Sequence, residues 1–146
     1  MPSTFSRRTF LRAGSGAVAA TLAGCSASRR PGSVDLSVVN LTDQLRTVTV
    51  AVHRQRGKRI WRQRVDLPAR EPNDGYRVET TNALRNVGAD QKYSVRVSVD
   101  GTNATARETL SITCADEDGK TDAVVVRVLA NGSGSVVPEI DVQSCG

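Results

Sequence analysis

The chain has 146 residues, of which 38% are apolar, 24% charged and 3% aromatic, and its formal net charge is +5. That length suits one domain plus a short appendage, and the apolar content excludes a chain disordered throughout. The only histidine is His53, which excludes multi-histidine metal sites and most histidine-dependent catalysis.

The first 24 residues read as an export signal. Arg7 and Arg8 stand before Thr9, Phe10 and Leu11, and no acidic residue occurs ahead of Asp35. The segment AGSGAVAATLA that follows, Ala13 to Ala23, is short and diluted by Gly, Ser and Thr. It falls well below the roughly 18 apolar residues needed to span a bilayer, as expected of a removable signal. An arginine pair ahead of a weakly apolar stretch is the pattern of twin-arginine export, which carries folded proteins.

Leu22-Ala23-Gly24-Cys25 closes the segment. It resembles a lipobox, in which small residues admit the peptidase and the cysteine thiol receives a glyceride. Two acyl or alkyl chains on Cys25 would anchor stably, where one holds only marginally. The other reading is a signal cut at a small residue, with Cys25 incidental. Arg7, Arg8 and Cys25 together resemble the small twin-arginine lipoproteins of halophilic archaea. The resemblance implies a membrane-anchored protein on the extracytoplasmic face, with membrane lipid as its first partner. It covers Met1 to Cys25 and departs from the family in charge. Losing Arg7, Arg8 and Arg12 leaves 17 basic and 15 acidic residues, a mature net of +2, where the family is usually acidic.

Residues 25–33 then form the lipidated cysteine and a flexible tether, because SASRRPGS is small, polar and broken by Pro and Gly. From residue 34 to 146 the dominant period is two, the mark of strands with one buried face. Val34, Leu36 and Val38 alternate with polar residues, as do Val48, Val50 and Val52. Tyr93, Val95, Val97 and Val99 give the cleanest run; Val124, Val126 and Val128 share a face, as do Val136, Ile140 and Val142. Turn signals separate the runs at Arg56-Gly57-Lys58, Asn73-Asp74-Gly75, Asp100-Gly101, Asp118-Gly119 and Asn131-Gly132. Leu84 to Val87 reads as a single helical turn. The fold class is therefore all-β, an antiparallel sandwich of about seven or eight strands. It is immunoglobulin-like in architecture only, because Trp61 precedes both Cys114 and Cys145 instead of lying between them.

Candidate sites follow in chain order. Asn40, Asn103 and Asn131 open N-x-S/T sequons near expected turns. Residues 53–64 place Arg54, Arg56, Lys58, Arg59, Arg62 and Arg64 around Trp61 without one acid. Such a lobe suits an acidic protein, a glycan or a lipid head group, since arginine forks pair with oxyanions and an exposed ring stacks. The competing reading is a solvated hairpin with Trp61 turned into the core. An extracytoplasmic address argues against nucleic acid. Asp116, Glu117, Asp118 and Asp122 cluster as in calcium loops, but Gly119 and Lys120 break the EF-hand order, so an acidic turn is expected and no metal or cofactor. Cys114 and Cys145 are the two thiols left beside Cys25, and outside the cytoplasm an even pair reads as a disulfide. They are expected at the open end of one hairpin. Nothing resembles a catalytic constellation, which points to a non-enzymatic binding or structural module. The alternative is a small surface enzyme or enzyme accessory working through carboxylates and arginines.

Overall fold

The computed structural model describes residues 30–145 apart from Asp90 and Asp116. Arg7 and Arg8, expected to direct export, and Cys25, expected to carry lipid, lie outside the described residues. Eight strands follow in order: β1 (Gly32–Asn40), β2 (Arg46–Arg54), β3 (Arg59–Leu67), β4 (Tyr76–Val87), β5 (Lys92–Val99), β6 (Thr105–Ser111), β7 (Asp122–Ala130) and β8 (Val136–Gln143). They form two four-stranded sheets, ordered β4-β1-β7-β8 and β3-β2-β5-β6. The all-β sandwich expected from the alternation is the architecture observed.

The alternating valines explain why two sheets close on each other. Val34, Leu36, Val38, Val124, Val126 and Val128 of the first sheet face Val48, Val50, Val52, Val95, Val97 and Val99 of the second, all buried. Burying each such side chain is worth about 1.5–3 kcal/mol. β-branched side chains also suit the pleat, so packing and local preference agree. The Val136, Ile140 and Val142 set is only half-buried, because β8 is an edge strand.

Three sequence expectations need correction. Leu84 to Val87 is not a helical turn but the end of β4. Nor is the ladder wholly antiparallel: β1 pairs with β7 in parallel, Val34 beside Asp122 through Asn40 beside Val128. The parallel pair sits at the centre of its sheet, where both strands are covered by neighbours. The third correction concerns Cys114 and Cys145, which do form a disulfide. They do not close one hairpin, however. Cys114 follows β6 and Cys145 follows β8, edge strands of opposite sheets, so the bridge clasps the two sheets together.

A buried carboxylate supports that clasp. Asp122 is wholly buried and accepts hydrogen bonds from the Thr113 and Cys114 amides, both at 3.0 Å, and from the Thr113 hydroxyl at 2.7 Å. The same hydroxyl accepts from the Cys145 amide at 2.9 Å. The β6–β7 corner is thereby tied to the chain end at which the disulfide forms.

Candidate functional site

The outer faces of the two sheets differ in charge. Pairing register places Arg62 opposite Ala51, Ala51 opposite Arg96, and Arg96 opposite Arg107. Directly opposed residues point to the same side, so these form one row across the second sheet, three arginines with a small residue between. Arg59, opposite His53, and Arg64, opposite Thr49, flank the row on β3. All five arginines are exposed. The outer face of the first sheet carries Asp35, Glu79, Glu139 and Asp141 against Arg77 and Arg127.

The arginine row is an unfavourable arrangement for folding. Like charges directly opposite in an antiparallel pair destabilise by roughly 0.2–1 kcal/mol. Arg64 is neutralised by Asp100 at 2.8 Å, and Arg107 donates through Nε to the Ser94 hydroxyl at 2.8 Å. Among the described residues Arg59, Arg62, Arg96 and Arg107 form no ion pair. The floor between the arms is low because β2 offers the small Thr49 and Ala51 beside Arg96, leaving a groove bordered by Arg96 and Arg107. His53 also lines this groove, with its Nδ1 buried and without a hydrogen-bond partner. Burial, then the charges of Arg96, Arg59 and Arg107, hold its pKa below the usual histidine value, so the imidazole is neutral at pH 7. The face can thus offer guanidinium forks to an oxyanion, with a neutral ring that would gain a proton more easily once the anion is bound.

The basic segment at residues 53–64 is divided by the fold. Arg59, Arg62 and Arg64 belong to the sheet face. Arg54, Arg56 and Lys58 belong to the β2–β3 hairpin tip, which is closed by a bond from the Gly57 amide to the Arg54 carbonyl at 2.8 Å. Trp61 belongs to neither. It lies opposite the buried Val52, half-buried against the core beside Leu84, Val87 and Tyr93. Of the two expectations for Trp61, its position against the core favours packing on the inner side over stacking within the basic patch. Arg96 and Arg107, the centre of the face, were not selected from sequence. Their signal was present in part: Arg96 occupies the outward phase of the Tyr93–Val99 alternation.

Two of the three sequons remain accessible. Asn103 and Asn131 are exposed in turns. Asn40 is corrected as an acceptor, because it is wholly buried and its Nδ2 donates to the Gln44 carbonyl at 2.8 Å and the Pro68 carbonyl at 2.8 Å. Its Oδ1 accepts from the Thr42 amide at 3.0 Å and hydroxyl at 2.7 Å, so the sequon side chains staple the β1–β2 corner. In the acidic turn, Glu117 pairs with Lys120, and Asp118 with Arg30 at 3.2 Å. Among the described residues no three metal-ligating side chains converge. Comparison of the chain with protein-family models and with curated proteins finds no match.

Proposed function

We propose that this chain is a lipid-anchored, extracytoplasmic, non-enzymatic binding module that docks an anionic partner on the outer face of its second sheet. In this reading residues 1–24 direct twin-arginine export through Arg7 and Arg8. Cys25 carries the lipid on the extracytoplasmic side of the cell membrane, residues 25–33 are the tether, and residues 34–146 are an immunoglobulin-like sandwich. The observation that carries the binding role is the cross-strand row of Arg62, Arg96 and Arg107. Such a row costs folding stability, and a bound carboxylate- or sulfate-rich partner is what would offset it. An acidic protein or an acidic glycan meets that requirement.

The test is cross-linking on intact membranes, followed by identification of the attached species. Reversing Arg62, Arg96 and Arg107 to Glu should abolish recovery of the partner while the melting temperature holds or rises. An unchanged cross-linking profile in that variant would defeat the binding assignment. Cys25→Ala tests the anchor separately: the protein should leave the membrane fraction or accumulate as precursor. A variant that stays in the membrane with unchanged mass would defeat the lipidation reading.

A further inference from the structure

The two ends of the sandwich carry different charges, and the tether joins the basic one. Register assigns the ends: Gly32 lies beside Val87, Arg54 beside Tyr93, and Lys92 beside Ser111. The start of β1, the β2–β3 hairpin and the β4–β5 connection therefore share one end. At that end Arg54, Arg56 and Lys58 of the hairpin converge with Gln91 and Lys92 around one cleft, which no described carboxylate lines. Asp90, adjoining Gln91 in sequence, lies outside the described residues and leaves the cluster net positive. Glu117 and Asp118 occupy the β6–β7 connection at the same end, paired with Lys120 and Arg30. The opposite end holds Asp43, Glu71 and Asp74 against Arg46 and Arg70, with Asp100 paired to Arg64.

We infer that the hairpin tip with Lys92 is a docking surface for the anionic head groups of the bilayer to which the chain is tethered, and that it stands the domain upright. This rests on the Cys25 anchor proposed above. Gly32 is seven positions beyond Cys25, a reach of at most about 25 Å. Nine-residue strands are about 30 Å long, so the tether keeps the basic end near the membrane while the acidic end can stand clear. Each basic side chain near an anionic surface favours the docked state about fivefold at low salt, and the acidic far end is repelled. An upright domain holds the arginine face of the second sheet at right angles to the bilayer, open to a partner.

Trp61 is the only tryptophan and lies at the tether end, two residues beyond Arg59. It therefore reports orientation. The mature lipidated protein would be reconstituted into vesicles of phosphatidylcholine alone, or of phosphatidylcholine with phosphatidylglycerol, each doped with a head-group nitroxide lipid. Trp61 fluorescence should be quenched about twofold more on the anionic vesicles, and high salt should remove the excess. Substituting Arg54, Arg56, Lys58 and Lys92 by Gln should remove it too, with the melting temperature unchanged as a check on folding. Equal quenching on both vesicles, or full excess quenching in the Gln variant, would overturn the inference. Loss of the excess instead in Arg62→Gln/Arg96→Gln/Arg107→Gln would move the membrane contact to the sheet face and overturn it as well. Failure to float with either vesicle would refute the Cys25 anchor, a result distinct from the others.

Discussion

Removing one arginine from the sheet face should make the protein more stable. Arg96 and Arg107 face each other across β5 and β6, and Arg107 makes one exposed hydrogen bond, to Ser94. Two guanidinium charges on the order of 8 Å apart in a water-like dielectric repel by about 0.5 kcal/mol. For a domain of this size, that corresponds to a rise in melting temperature of about 2 °C. Arg107→Gln keeps the arm and removes the charge, while Arg107→Lys keeps the charge as a control. Thermal melts at low ionic strength should place Gln above both wild type and Lys. At 1 M salt the Debye length is about 3 Å, and the differences should vanish. The same Gln variant should bind the anionic partner less well, a gain in stability at the expense of function. A Gln variant melting below wild type at low salt, or a gain that survives 1 M salt, would refute the repulsion argument.

Five further outcomes follow from the geometry. Arg107→Gln removes one of the charges that lower the His53 pKa, so the single histidine resonance should titrate at higher pH than in wild type. Because the folded pKa lies below the unfolded value of 6.5, His53 favours folding fully above pH 6.5, and that contribution fades as pH falls toward the folded pKa; His53→Gln should flatten this part of the stability–pH curve. Asp122→Ala strands the buried Thr113 and Cys114 amides, and should cost about 3–5 kcal/mol in denaturant unfolding with an unchanged slope. Reducing the Cys114–Cys145 bridge should cost about 3–4 kcal/mol yet leave a folded domain, measured by unfolding with and without reductant. Trp61→Ala should cost about 2–3 kcal/mol, less than for a fully buried ring, and should not affect partner recovery.

The strands that could be read from sequence are those whose alternation is unbroken. β2 and β5 pair residue for residue from Val48 with Val99 to Arg54 with Tyr93, so their valines keep phase. β4 does not. Its register against β1 slips twice, between Gly32 and Val34 and between Val34 and Leu36, and Asn82 and Asn86 take positive φ of 49° and 54°. Such bulges add residues to one strand only, so Leu84 and Val87 fall three apart and imitate a helical turn. The extra backbone is not left unsatisfied, since the Asn82 amide donates to Asp35 at 2.6 Å. The site was readable in composition but not in layout. Proximity along the chain grouped Arg54 through Arg64, whereas the fold groups by face. Arg107 lies 43 positions beyond Arg64 and joins it only through three sheet pairings, β3 with β2, β2 with β5 and β5 with β6. Asn40 misled for a related reason: a sequon is local, while the Pro68 carbonyl that captures its amide is distant in sequence.

The parallel union of β1 with β7 governs when this body can be completed. β1 is the first described strand, yet its second neighbour starts only at Asp122. Until then its edge toward β7 is open, and Val124, Val126 and Val128 are missing from the core. A ribosome must therefore synthesise nearly the whole chain before the first strand is locked, and pairing across so long a loop is intrinsically slow. Any truncation before β7 would leave the valine-rich β1 without its parallel neighbour. On the export proposed above, a translocase that accepts folded cargo would meet a body that becomes acceptable only after synthesis has ended, and the first strand would be the one that reports completion.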